Sequence, residues 1–229
     1  MSRIETVFLD AGGVLVWPNW SRVADALRAH GVPVEAKKLE AADALARYEL
    51  DRAQVVDAST DQRRSRSFFD LVLEEAGIEL SDRTTAAMQD VLRYHKEHNL
   101  WEIVPDFVKP ALRRLRENGY RLAVVSNANG TVEQLFERKG LRPLVDMIFD
   151  SSVEGLEKPD RRLFDRALER SGGRADTTVH VGDFYNIDVV GARRAELTPV
   201  LVDELDLRRD ADCARIRTIA ELPKLLETL

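Results

Sequence analysis

Apolar positions along the chain fall into two spacing regimes. Thr6-Val7-Phe8-Leu9 runs without interruption into Asp10. Arg121-Leu122-Ala123-Val124-Val125, Met147-Ile148-Phe149, Thr178-Val179-His180-Val181 and Pro199-Val200-Leu201-Val202 are similarly short, predominantly apolar runs. Such runs suit strands buried on both faces. Between them the spacing turns helical, over Pro105 to Asn118, Thr131 to Lys139, Asp160 to Ser171, Asp188 to Ala195 and Glu221 to Leu226.

Residues 16–101 carry no convincing strand. Ser21 is the expected N-cap of a helix ending at Gly31. Leu39, Ala42, Leu45, Ala46 and Leu50 lie at helical spacing within Val34 to Val55, and Phe68, Phe69, Leu71, Val72 and Leu73 precede a stop at Gly77. Ser81 can cap a further helix through Met88, Val91, Leu92 and Tyr94. Strands alternating with helices predict an α/β fold, a doubly wound parallel sheet built from residues 1–15 and 102–229. Residues 16–101 are then an inserted α-helical unit able to form a cap domain over that sheet.

Composition narrows the partners. The 229 residues can form a core plus an insertion, with hydrophobic content of 44% and charged content of 32% typical of a soluble protein. A net charge of −6, from 34 basic and 40 acidic residues, gives no electrostatic footprint for nucleic acid or an anionic membrane. No apolar run is long enough to span a bilayer and no basic-then-apolar leader opens the chain, so a cytoplasmic location is the expectation. Cys213 stands alone and outside any CxxC context, and is expected to be inert. Nothing in the pattern specifies an oligomeric state.

Ligands of an open parallel sheet bind outside the carboxyl ends of its strands. Those ends deliver Asp10, Ser126, Asp150 and Asp183, with Lys158 on the loop that follows Asp150. Carboxylates, a hydroxyl and an ammonium at one edge suit an anionic substrate and a divalent cation. Mg²⁺ is commonly held by one or two carboxylates together with phosphate oxygens and water.

The ordered set Asp10-Ala11-Gly12-Gly13-Val14-Leu15, Val124-Val125-Ser126-Asn127, Lys158-Pro159-Asp160 and Val181-Gly182-Asp183 with Asp188 resembles the haloacid dehalogenase (HAD) superfamily, from about Thr6 to Val202. The resemblance implies a Rossmann-like core, a cap of that family's first type and a Mg²⁺-dependent hydrolase of small phosphorylated molecules. It makes Asp10 the nucleophile that carries an aspartyl-phosphate. Asp10, the Gly12 carbonyl and Asp183 would hold Mg²⁺. Ser126, Asn127 and Lys158 would grip the phosphoryl group, and Asp188 would support the metal or orient Lys158.

The chain departs from the family pattern at two positions. Gly12 stands where related phosphatases carry a second aspartate, the general acid/base, a group typically worth about 10²–10⁴ in rate. Tyr48, Glu49 and His95 are nominal donors from the cap. The same gap leaves open a 2-haloacid dehalogenase, a phosphonatase using Lys37 or Lys38, and a catalytically weakened binding or interaction protein. Glu196 stands where the family has a helix-ending glycine, and a left-handed glutamate there costs of order 1 kcal/mol.

Plainer roles compete at several positions. Asp150 reads as a turn former, and Gly13 and Gly182 as backbone permission. His95 and His98 are expected on solvent-facing helix positions, and Arg63, Arg64 and Arg66 on a solvated helix face. Trp17 and Trp20 divide between a substrate entrance and packing in the cap.

Overall fold

The computed structural model describes residues 3–53 and 61–229, with the side chains of 61–67 left aside. The expectation for Arg63, Arg64 and Arg66 therefore lies outside the described residues, as does the end of the predicted Val34 to Val55 helix.

The chain divides into two compact units, Met1–Trp17 with Glu102–Leu229, and Pro18–Trp101. In the first, β1 (Thr6–Leu9), β2 (Arg121–Ser126), β3 (Met147–Asp150), β4 (Thr178–Gly182), β5 (Thr198–Val202) and β6 (Ala214–Ile216) form one sheet in the order β3-β2-β1-β4-β5-β6. Every neighbouring pair is parallel. The chain builds outward from β1 through β2 to β3, then returns to the other side of β1 for β4 to β6. The order reverses between β1 and β4, which sets the Asp10 and Asp183 strand ends side by side at the switch point.

Strand periodicity explains the layers. Phe8, Ala123, Val125 and Phe149 share one face and pack against Leu163, Phe164 and Ala167 of α8 (Arg161–Ser171) and Ala192 of α9 (Val190–Arg194). Val7, Leu9, Leu122 and Val124 alternate to the opposite face and are equally buried. On β2 lies α5 (Val108–Glu117), whose Val108, Ala111, Leu112 and Leu115 make one apolar stripe, and α10 (Leu222–Leu226) packs on α5. With the central strands β1, β2 and β4 covered on both sides, alternation with polar residues would bury polar groups, hence their largely continuous apolar runs.

The helical unit holds α1 (Trp20–Ala29), α2 (Ala36–Arg52), α3 (Asp61–Glu75) and α4 (Asp82–His98). Trp20, Phe68, Phe69 and Trp101 form an aromatic cluster with ring centroids 5.3–6.2 Å apart. Trp20 is thus a packing residue, and its indole N–H donates to Asp43, itself paired with Arg47 at 2.9 Å. Trp17 belongs to the sheet unit and sets its ring edge-on to Phe107. Ser81 caps α4 in a full capping box with Thr84.

Several local expectations are corrected. Asn19, not Ser21, caps α1, accepting the Arg22 N–H at 3.2 Å; Ser21 is exposed inside the first turn. β6 went unseen because its three residues, Ala-Arg-Ile, are too few to show a period. The predicted helix from Asp188 begins earlier, as a π-turn over Tyr185–Val189, before α9. His95 is not a solvent-facing position. It is half-buried against Trp101, and its Nδ1 accepts the Leu100 N–H at 3.1 Å. Burial pushes its imidazole pKa down to about 4. His98 is exposed. Among the described residues, no helix is long and apolar enough to cross a membrane.

Candidate active site

Asp10 sits one residue beyond β1, and its Oδ1 accepts the Ala11 N–H at 2.7 Å. The turn that follows closes tightly: Leu15 and Val16 donate to the Ala11 carbonyl, and Gly13 takes a φ of +68° that a side chain would resist. Ser126 ends β2 opposite Asp150 on β3, is 3% exposed, and its hydroxyl hydrogen-bonds to Asp10.

Asp150 does more than form a turn. Its carboxylate accepts N–H groups from Gly130 at 3.0 Å and Val132 at 3.3 Å, and caps α7 (Ser151–Glu154) through Ser152 at 3.0 Å. Ser151 Oγ accepts the Ala128 N–H at 3.0 Å. The loop carrying Asn127 is thereby fastened to the end of β3. Asn127 in turn clamps the Lys158 backbone, donating to its carbonyl at 2.9 Å and accepting its N–H at 2.8 Å. The Asn127 side chain is thus committed to Lys158.

Lys158 is fully buried, and its Nζ lies 3.1 Å from Asp10 Oδ1 and 2.7 Å from Asp188 Oδ1. Asp188 is 1% exposed and accepts two further bonds, from His180 Nε2 at 2.9 Å and from the Phe184 N–H at 3.0 Å. The π-turn makes this possible by carrying the chain back so that Asp188 lies over Gly182. A Cβ on Gly182 would stand 2.0 Å from Asp188 Cγ, so the glycine provides space rather than an unusual backbone angle.

Burial opposes charge throughout the cluster, and the partners decide the outcome. Burial raises Asp10, and the neighbouring Asp188 charge adds to that against the pull of Lys158 and the Ser126 hydroxyl; the net direction is up. For Asp188 burial also acts upward, but Lys158 and His180 outweigh it and hold the carboxyl below the usual range. Lys158 is desolvated yet shifted upward by its two carboxylate neighbours, so its ammonium persists. Burial lowers His180, which favours the neutral ring.

Asp10, Asp183 and Asp188 can each bring one oxygen within 4.8 Å of the others. That is a hard-oxygen donor set of the kind Mg²⁺ takes. The fold and strand order thus bring together Asp10, Gly12, Ser126, Asn127, Lys158, Asp183 and Asp188. Sequence reasoning missed His180, though one polar residue inside an apolar strand is itself a sign of a buried partner. It also missed the anchoring done by Asp150.

A parallel sheet with this edge chemistry defines a class as well as a geometry. Residues 4–196 match the family of haloacid dehalogenase-like hydrolases, and the chain belongs to that family. It is 29% identical to the human haloacid dehalogenase-like hydrolase domain-containing protein 3, over 81% of this chain and 75% of that one. It is 24% identical to the glyceraldehyde 3-phosphate phosphatase of Pyrococcus furiosus, over 100% of this chain and 94% of the other. With the ribulose-1,5-bisphosphate 5-phosphatase of Halopiger xanaduensis it shares 35% identity over 54% and 56% of the two chains. Among solved structures, the HAD-hydrolase YfnB of Bacillus subtilis bound to magnesium shares the fold, with a TM-score of 0.71 at 23% identity over 98% and 99% of the chains.

Proposed function

We propose that the chain is a Mg²⁺-dependent phosphatase of small phosphomonoesters, working through an aspartyl-phosphate on Asp10. The observation that carries this reading is the placement of the Lys158 ammonium 3.1 Å from Asp10 in a buried site, beside a second and third carboxylate within reach of one cation. An ammonium so placed neutralises charge on the nucleophile and on the incoming phosphoryl oxygens alike. The relatives named as sugar-phosphate phosphatases support the same chemistry.

The Asp10 carboxylate attacks phosphorus and the bond from phosphorus to the ester oxygen breaks. Ser126 and the Asn127 backbone N–H hold phosphoryl oxygens, and Lys158 stabilises the charge gathered on them. Water then attacks the aspartyl-phosphate, releasing inorganic phosphate and regenerating Asp10. Mg²⁺, held by Asp10, the Gly12 carbonyl and Asp183, would screen the approach of one anion to another and favour the ionised form of Asp10.

Gly12 leaves the ester oxygen without a carboxylic acid at that position, so substrates with good leaving groups suit this site. His95 is a poor donor: its Nδ1 is engaged with Leu100 and its ring is neutral near pH 7. The phosphonatase alternative is disfavoured because Lys37 and Lys38 are solvent-exposed, where a Schiff-base lysine needs desolvation. The test is hydrolysis of p-nitrophenyl phosphate and acetyl phosphate, with and without EDTA. Turnover abolished by EDTA and by Asp10→Asn is expected. No turnover of either ester by the wild type, or Asp10→Asn as active as wild type, would overturn the reading.

A further inference from the structure

The buried histidine of β4 is unused by the chemistry above, yet it touches the residue that holds Lys158. His180 Nε2 lies 2.9 Å from Asp188 Oδ1, the same oxygen that receives Lys158 Nζ at 2.7 Å. His180 Nδ1 is buried with no hydrogen-bond partner, so the ring proton belongs on Nε2, where an acceptor waits. The ring also stands edge-on to Phe164 at 4.9 Å between centroids, and the backbone is held in register with Phe8 of β1 and Pro199 of β5. Packing alone does not require histidine here, because a phenylalanine of similar volume would fill the space without leaving a dry nitrogen.

We infer that His180 is a positioning residue for the reaction. Its Nε2–H anchors the Asp188 carboxylate to the sheet, and that carboxylate holds the Lys158 ammonium against Asp10. The anchoring is threefold: a strand donor, a loop ammonium and the Phe184 N–H converge on one carboxylate, which removes its freedom to rotate. Without the strand donor, Asp188 turns toward its two remaining partners and Lys158 loses its fixed distance to Asp10. As a role in turnover this rests on the hydrolase reading above.

Two substitutions separate positioning from packing. His180→Phe keeps the ring volume and removes the donor, whereas His180→Gln keeps an N–H near the Nε2 position and packs less well. Positioning predicts crossed orders. The Phe variant should be the more heat-stable, yet lose about ten- to hundredfold in kcat with KM within about twofold. The Gln variant should be the less stable and recover most of kcat. Packing predicts that both properties follow the same order, and equal or higher kcat for Phe than for Gln overturns the proposal. Crystal structures of the two variants decide the matter independently of turnover. Lys158 Nζ should leave Asp10 in the Phe variant and keep its place in the Gln variant. A Phe variant with Nζ still 3.1 Å from Asp10 and 2.7 Å from Asp188 overturns the anchoring. If the wild type hydrolyses no phosphoester, the function reading fails on its own, and the two structures still decide what His180 holds.

Discussion

Gly182→Ala is the sharpest small perturbation the site offers. One methyl group would stand 2.0 Å from Asp188 Cγ and 2.4 Å from Asp188 Oδ2, where ordinary contact begins at about 3.4 Å. The carboxylate cannot give way freely. It is bonded to Lys158 at 2.7 Å, His180 at 2.9 Å and the Phe184 N–H at 3.0 Å, and a retreat of more than an ångström lengthens all three beyond useful range. Overpacking of this kind costs about 1–3 kcal/mol of stability. The catalytic cost should be larger in proportion, because misplacing a reacting group by about 1 Å is worth about 10² in rate. The expectation is a folded protein with a lowered Tm and activity reduced about a hundredfold or more, measured by calorimetry and by p-nitrophenyl phosphate hydrolysis. Gly119→Ala is the matched control. It meets no atom within 4 Å and is strained only by a φ of +87°, so it should lose stability without losing kcat. A Gly182→Ala protein with wild-type Tm and kcat would refute the claim that this glycine exists to make room for Asp188.

Two further outcomes follow from the structure. The folded pKa of His95, about 4, lies below the ordinary value of 6.5, so between these limits the unfolded chain binds the extra proton. Stability should be full above about pH 6.5 and fall by up to about 3 kcal/mol toward pH 4; urea unfolding across that range should show a shallower decline in His95→Asn, which keeps an acceptor and cannot titrate. Glu196 adopts a φ of +63° just past α9, so Glu196→Gly should stabilise by about 1 kcal/mol, with kcat unaffected since the side chain is exposed.

The sequence alone determined the strand cores, the helical stripes and the set of residues at the strand ends. Each of those is a local property: a run buried on both faces must be apolar, and a carboxylate following such a run must emerge at the sheet edge. The left-handed backbone at Glu196 was expected on another ground, the resemblance to a family that ends this helix with glycine. Only the tertiary structure decided how those residues engage one another. Which nitrogen of His180 carries the proton, why Gly182 has no side chain, and what Asp150 and Asn127 fasten all depend on partners between 6 and 31 positions away in the chain. The three-residue β6 and the π-turn before α9 escaped for a related reason: neither is long enough to impose a period, and each exists because the neighbouring strand or carboxylate holds it there. Which residues reach the sheet edge was written locally, strand by strand. The site's working geometry exists only once the sheet sets those strand ends side by side.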